Sequence, residues 1–260
     1  QIFDAIIIYN SDGMVIDVNK TVCEMFETDR GEFIGKNIGM RRSLGEWIIA
    51  TNPDVLYGDD LFDFFAAGTL DKNTFYRINR IDISKNWIDP KLDANTILAT
   101  IKKHSIKIMY NNRTIYTSWK EWLLSLIHGR TRKILLQCPL FNPFRNKGSD
   151  DSLMHTNAAG DFLMMHRTTL EKVRGYDQVT VGSGVLDGYI LYSLYCYGFM
   201  QKILPYSLYH IYHHHKGVKY LASHVQFKKD AEEMLKTKVP YKIHAEDWGF
   251  PNEQFTETIR

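Results

Sequence analysis

The sequence is poor in cysteine, has no long apolar run and carries no excess of either charge. Its three cysteines, Cys23, Cys138 and Cys196, lie far apart and form no CxxC pair, which argues against a disulfide framework and favours a reducing compartment. A formal net charge of +2 provides no field that would attract nucleic acid. No apolar stretch approaches the ~20 residues of a membrane-spanning helix, and no signal peptide is apparent. We therefore expect a cytoplasmic protein, or one peripheral to a membrane, with no transmembrane segment and no bound nucleic acid.

What is present is the composition of a globular domain, with 44% hydrophobic and 24% charged residues among 260. Short strand-like runs at 46–51, 75–83 and 161–165 alternate with helical patterns such as 189–197. Strands that alternate with helices along a chain are typical of an α/β fold. The length suits one large domain or two small ones.

The first 38 residues differ in pattern from the rest of the chain. Two strand-like runs, 5–9 and 14–18, flank the turn Asn10-Ser-Asp-Gly13, which predicts a hairpin. In order and spacing, residues 1–38 resemble the first half of a PAS sensor domain, although the long helix and three further strands of a PAS core are not found after Lys36. The alternative is that two strands and a helix complete a different α/β sheet.

The letters KNIGMRRSLGEWIIAT at 36–51 predict a helix and then a buried strand, which ends in Asn52-Pro-Asp54. Together they resemble the donor half of the inverting, family-two-like glycosyltransferases of the GT-A fold. In that family the strand end carries an Asp-x-Asp motif, which binds a divalent metal on the donor diphosphate. The resemblance implies that Asp54, with Asn52 in place of the other Asp, holds Mn²⁺ or Mg²⁺. It also implies that Asn37 and Arg41 face a nucleotide-sugar donor.

General physical rules favour this placement, because ligands of open α/β sheets bind beyond the carboxyl ends of strands and Mg²⁺ prefers oxygen ligands. The alternative is that residues 51–54 form only a turn that ends the strand. The nearby pair Asp59-Asp60 also suggests a metal motif. A helix start near Leu61 explains that pair better, because carboxylates suit the N-terminal end of a helix dipole.

A second motif begins at His155 with HTNAAGDFLMMHRTTLEKVRGYDQ, and a loop then leads to Asp187 at the head of an apolar helix. This order resembles the acceptor half of the same family, in which the loop ends in Glu-Asp and the Asp is the catalytic base. Asp187 matches the base, whereas Leu186 departs from the Glu. The resemblance also implies that His155 and Asp161 lie on the acceptor side of the site.

A cluster of histidines follows at positions 210 and 213–215. Many enzymes of this family place one histidine after the last strand of the sheet, where it completes the metal site or contacts the phosphates. His210 and His213 are the positions that match. A solvated histidine run, or a metal-binding interaction domain built on this cluster, are the alternatives.

The resemblance implies a GT-A (Rossmann-like) mixed sheet flanked by helices over residues 39–260, with the PAS-like segment 1–38 as an atypical hairpin and helix that completes the sheet. The implied activity is the transfer of a sugar, with inversion, from a nucleotide-sugar donor to a hydroxyl of a glycan or another acceptor. Because the PAS-like segment occupies the place of the family's nucleobase-binding strands, it either substitutes for them or marks a truncated or fused, inactive chain. The alternative function is a non-catalytic sensor or binding protein with a degenerate transferase scaffold.

Overall fold

The computed structural model describes residues 6–9, 15–18, 29–52, 54–68, 70–84, 94–110, 113–116, 154–156, 158–177, 185–212, 221–241 and 244–252. The strands within these ranges are β1 Ile6–Tyr9, β2 Val15–Val18, β3 Trp47–Ala50, β4 Val55–Tyr57, β5 Thr74–Ser84, β6 Ser105–Tyr110, β7 Arg113–Tyr116, β8 Leu163–His166 and β9 Met200–Tyr212. The helices are α1 Asp29–Arg42, α2 Asp59–Ala66, α3 Ala94–Thr100, α4 Arg167–Val173, α5 Leu186–Cys196 and α6 Leu221–Thr237, and a 3₁₀ turn covers Ile101–His104.

These strands form one mixed sheet, with order β2-β1-β3-β8-β5-β6-β7 and with β9 between β5 and β4. The long strand β5 organises the sheet. Along one edge it pairs in parallel with β9 over its whole length, and along the other it pairs antiparallel first with β8 and then with β6. The predicted α/β class with a mixed sheet flanked by helices is therefore present.

Successive side chains of the central strands point to opposite faces of the sheet, and helices cover both faces. In β3, Ile48 and Ala50 pack into the core that contains helices α4, α5 and α6, whereas Ile49 packs on the opposite face with Leu61 of α2. Both faces of the strand are consequently buried, as the unbroken apolar letters of 46–51 predicted.

The N-terminal hairpin belongs to this same sheet. Its strands pair antiparallel with each other, and β1 also pairs antiparallel with β3 through Ile7 and Ile49. The hairpin predicted at 5–9 and 14–18 is confirmed at 6–9 and 15–18. It extends the α/β sheet, which is the alternative that the sequence left open.

Two elements depart from what local propensity alone favours. Helix α1 continues from Asp29 to Arg42 in spite of its glycines, because buried Met40 packs with Ile48 and Ala50 of β3 and outweighs their low helix propensity. Strand β9 continues through Pro205 to Tyr212, because the β5–β9 register shifts there and a bulge accommodates proline. Among the described helices, none is long and apolar enough to cross a membrane.

Candidate metal centre and its surroundings

The central histidine of the site, His210, is positioned by strand register. It lies opposite Val55 of β4 on one edge of β9 and opposite Asp82 of β5 on the other. Asp54 immediately precedes β4, and its carbonyl accepts a hydrogen bond from the backbone N–H of Ile211 (3.0 Å). As a result, the buried imidazole has Asp54 Oδ2 3.0 Å from Nε2 and Asp82 Oδ1 2.8 Å from Nδ1.

Two carboxylates flanking one imidazole favour its doubly protonated form, in which both ring nitrogens donate. Burial acts to lower the pKa of His210, but the hydrogen bonds to Asp54 and Asp82 outweigh it and raise that pKa above its usual value. A metal ion could replace the proton on Nε2 while the Nδ1–H group keeps its bond to Asp82. A carboxylate that orients a metal-binding histidine in this way is a common outer-shell arrangement.

Asp161 brings a further carboxylate to this place from the turn before β8. Its Oδ2 accepts from Arg80 (2.6 Å), and its Oδ1 accepts from the amide of Asn52 (2.9 Å). Asp54, Asp161 and His210 each offer one ligand atom, and these three atoms lie within 4.8 Å of one another. Two carboxylates and an imidazole suit Mn²⁺ and other transition metals, so the residues fit the metal that the resemblance implies.

Arg77 holds the turn that carries Asp161. Its side chain is fully buried, and its guanidinium donates to the carbonyl of Ala159 (3.0 Å) and to that of Phe162. Burial lowers the pKa of Arg77 to about 10, which leaves it charged at neutral pH. The carbonyls on both sides of Asp161 are therefore fixed from β5, and this fixes the direction of the carboxylate.

Charge is closely balanced around the buried carboxylate of Asp82, which contacts Arg80 Nε and Lys107 Nζ, each at 2.7 Å. Burial would raise the pKa of Asp82, but the bond from His210 and the cations hold it well below its usual range. The carboxylates of Asp54, Asp82 and Asp161 balance Arg80, Lys107 and a protonated His210. Replacing that proton with a divalent cation adds one positive charge, which favours an anionic ligand.

Asp187 lies in the first turn of α5, with its side chain 26% exposed. It packs against Gly160 so closely that a Cβ added there would be 2.6 Å from Asp187 Oδ2. Its Oδ1 is 4.0 Å from Lys36 Nζ, and Lys36 also donates to Asn52 Oδ1 (3.1 Å). Polar contacts through Lys36 and Asn52 thereby link Asp187 to Asp161. Asp161 is one of the three candidate metal ligands, Asp54, Asp161 and His210, which we call the metal trio.

Asn52 itself has a different position from the predicted one. Its amide nitrogen donates to Asp161, and its amide oxygen accepts from Lys36. Because that oxygen points to a buried ammonium, it is turned away from the metal trio. Asn52 is a spacer between Asp161 and Lys36, and Asp161 takes the place expected for a second carboxylate beside Asp54.

Asn37 is bound within the fold. Its side chain is fully buried, and its amide donates to the carbonyl of Tyr176 (2.8 Å) and accepts from the N–H of Tyr176 (2.7 Å). A Cβ added at Gly175, whose φ is +74°, would be 2.2 Å from Asn37 Oδ1. Asn37 therefore has a structural role, in which it anchors the end of α4 to α1, and its predicted contact with a donor stays a prediction.

Arg41, one helical turn later, is also used within the fold. Its guanidinium donates to the carbonyls of Glu246 (2.6 Å) and Trp248 (2.5 Å) and lies 5.0 Å from the centre of the Trp248 ring. The charge of Arg41 is therefore bound to the C-terminal segment, and its predicted contact with a donor stays a prediction. Gly249 of that segment packs against Arg41, because a Cβ added there would be 3.1 Å from Arg41 Cβ.

His155 lies away from the metal trio. Its backbone N–H donates to Gln201 Oε1 (2.8 Å), and its carbonyl accepts from Gln201 Nε2 (3.1 Å). Gln201 is the second residue of β9 and lies nine residues before His210, which is roughly 30 Å along a strand. His213, the other predicted histidine ligand, lies outside the described residues.

The sequence did not single out Lys36, Arg80 or Lys107. Arg80 could have been found from the letters RINRID at 77–82, which place charged residues in a strand that also carries apolar letters. Arg77 and Asp82 lie in the same strand, and both are fully buried. Ion pairs inside the sheet explain why a buried strand tolerates them.

Replacing Asn37 tests its structural role. Asn37→Ala would leave the buried N–H and carbonyl of Tyr176 without their side-chain partner, so we expect a loss of about 2–4 kcal/mol in the free energy of unfolding. Denaturant titration measures it. The exposed Gln226, which bonds Asp230 (2.8 Å), gives a control, because Gln226→Ala should cost no more than about 0.5 kcal/mol. Equal losses in the two variants would contradict the role of Asn37.

Metal binding should depend on the proton held by His210. Because the pKa of His210 is raised, a metal at Nε2 must displace a proton, so Mn²⁺ affinity should fall as the pH drops through that pKa, by up to about tenfold per unit. Calorimetry in buffers of different ionisation enthalpy should show about one proton released per Mn²⁺. His210→Gln should abolish both signals, and proton-independent binding would contradict the assignment.

Comparison with known proteins concerns the N-terminal segment. A family model described as a PAS domain matches residues 4–40, which confirms the predicted resemblance over β1, β2 and most of α1. No curated protein matches the chain, and the resemblance to a glycosyltransferase stays a prediction. Lys36 and Asn37 lie inside the matched range, so the PAS-like segment contributes residues to the surroundings of the candidate metal centre.

Proposed function

We propose that this chain is a metal-assisted, inverting glycosyltransferase of the GT-A type, which moves a sugar from a nucleotide-sugar donor to an acceptor hydroxyl. One observation carries the proposal. Asp54 and Asp187, 133 positions apart in the sequence, belong to one polar assembly, in which Asp161, Asn52 and Lys36 lie between them. The two carboxylates that the resemblance assigns to metal and base are therefore joined by a chain of polar contacts.

The base must be ionised and reachable. Asp187 is partly exposed, has the ammonium of Lys36 4.0 Å away and lies in the first turn of α5, where the helix dipole favours a negative charge. In the proposed step Asp187 takes the proton of the acceptor hydroxyl. The oxygen then forms a bond to the anomeric carbon, and the bond from that carbon to the diphosphate breaks with its electron pair leaving on the phosphate oxygen.

The leaving group must be neutralised, and a divalent metal when bound supplies that charge. Asp54, Asp161 and His210 are the residues that would hold it. Arg80 contributes by tying Asp161 to Asp82 with hydrogen bonds of 2.6 and 2.7 Å. Burial acts to lower the pKa of Arg80, but both carboxylates outweigh it and raise that pKa, so the tie is a permanent ion pair.

The GT-A assignment is supported by the mixed sheet with helices on both faces. The family's nucleobase-binding strands would lie at the sheet edge next to the metal strand, and here β1 pairs with β3 at that edge. We infer that the PAS-like hairpin substitutes for those strands. Asn37 and Arg41 are excluded from the donor contacts of this proposal, because both are bound within the fold.

A non-catalytic sensor or binding module is the second candidate, and the family match at 4–40 favours it. In that case the polar assembly would only stabilise the sheet. The two functions differ in their ligand, because a transferase binds a nucleoside diphosphate with its metal, whereas an assembly that only stabilises the sheet binds neither.

A thermal-shift screen of nucleoside diphosphates, with and without Mn²⁺, separates them. Ligands that bind only the native state raise the melting temperature, so the transferase should show a metal-dependent rise with one nucleotide. Asp54→Ala should remove that rise. Asp60→Ala is the matched control, because Asp60 is an exposed carboxylate at the start of α2 and outside the metal trio. No shift with any nucleotide would contradict the proposal.

The base is tested by Asp187→Asn. Removing a general base lowers the rate by about 10²–10⁴-fold. The rate of transfer should therefore fall at least about 10²-fold, while the Mn²⁺-dependent thermal shift is retained. Transfer is measured as release of nucleoside diphosphate from the donor found in the screen. Turnover close to that of the unsubstituted protein would refute the role of Asp187.

Gly160→Ala tests the position of this carboxylate by a different route. The added methyl would meet Asp187 Oδ2 at 2.6 Å, so the carboxylate must move, and a displacement near 1 Å costs about 10²-fold in turnover. Gly58→Ala places a methyl equally close to the exposed carboxylate of Asp60 and should keep nearly full activity. Equal activities of the two variants would show that Asp187 is not the reacting group.

A further inference from the structure

Lys36 is a charged residue inside the protein, with 1% of its surface exposed. Its ammonium donates to Asn52 Oδ1 (3.1 Å), lies 4.0 Å from Asp187 Oδ1 and lies 5.6 Å from the centre of the Tyr176 ring. A buried ammonium is costly unless it is paired and hydrogen-bonded. These three contacts offset that cost, and they come from three separate segments of the chain.

The contact with Asp187 is asymmetric in burial. Lys36 has lost its water, whereas the side chain of Asp187 is 26% exposed. Asp187 therefore supplies a counter-charge to the lysine, and it is held near the lysine while it keeps access to solvent. On its other side Asp187 is confined by Gly160, so its carboxylate has little freedom to turn.

The contact with Asn52 fixes a direction. An amide has a donor end and an acceptor end, and Lys36 can satisfy only the acceptor. The ammonium thus holds Asn52 with its nitrogen toward Asp161 Oδ1, at 2.9 Å. Without that cation the amide could rotate, and Asp161 would lose a donor.

We propose that Lys36 is a positioning residue, which orients Asp187 and Asn52 at the same time and so keeps the base in register with the metal centre. Its effect on catalysis rests on the proposed transferase function. Its pairing with Asp187 does not, and the two parts can be tested apart.

A double-mutant cycle in stability tests the pairing. Asp187→Asn removes a counter-charge of a buried lysine and should shift the unfolding equilibrium strongly toward the unfolded state. Adding Lys36→Met should reverse much of that shift. We expect the cycle to show a coupling of at least about tenfold in the unfolding equilibrium constant. Additive effects of the two substitutions would overturn the pairing.

The exposed pair Lys72–Glu46 is the matched control. Its atoms are closer, at 2.6 Å, but the side chains are 61% and 60% exposed. The same cycle with Lys72→Met and Glu46→Gln should therefore give a coupling below about fivefold. A control coupling as large as that of Lys36 would mean that burial does not set the strength of the pair, and would overturn the argument.

Transfer kinetics test the positioning role. Lys36→Met should lower kcat at least about tenfold, because the base acts only in the chemical step, and should raise the donor KM by a smaller factor, because Asn52 contacts only one of the three candidate metal ligands. Lys36→Arg keeps the charge and should recover most of kcat. A fall in stability with unchanged kcat per folded molecule would overturn positioning and leave only the ion pair.

Failure of this proposal and failure of the transferase function are distinguishable. If the unsubstituted protein transfers no sugar from any nucleotide-sugar donor, the proposed function fails, and the stability cycle still decides whether Lys36 is paired with Asp187. If transfer is observed and the cycle is additive, the function stands and the proposal for Lys36 is wrong.

Discussion

The structure depends on one buried histidine held between two carboxylates. His210 can lie between Asp54 and Asp82 only because β9 lies between β4 and β5 in the observed register. A shift of one residue would turn the ring to the other face of the sheet. The same register therefore fixes the candidate metal trio, the ion pairs of Asp82 and the packing of β9, and none of them can change alone.

Around this histidine the sheet accommodates buried charge by local neutrality. Asp82 has no exposed surface and contacts His210, Arg80 and Lys107, and Arg80 continues to Asp161. Single removal of such a partner leaves an uncompensated charge in a medium of low polarity. Each charge of the assembly is consequently held by its partners, and the assembly is joined to Asp187 through Asn52 and the buried Lys36.

Much of the fold could be predicted from local patterns, and part of the candidate site could not. The strands at 47–50 and 163–166 follow from unbroken apolar letters, and the N-terminal hairpin from an Asp-Gly turn between apolar runs. The contacts of Asn37 and Arg41 were missed, because their partners are 139 and 207 positions away. A helix pattern indicates which residues share a face but not which distant backbone groups pack against it.

The sequence by itself determined the α/β class, the order of the elements and the residue types able to bind a metal or accept a proton, because these depend on periodicity and on side-chain chemistry. Only the tertiary structure decided which of them meet. It brought Asp161 beside Asp54 and His210, and it buried Lys36 beside Asp187. It also placed His155 next to Gln201 near the start of β9, whereas His210 lies near the end of that strand. The physical reason is that strand pairing and register bring together residues that are far apart in the chain, and no local signal in the sequence encodes that pairing.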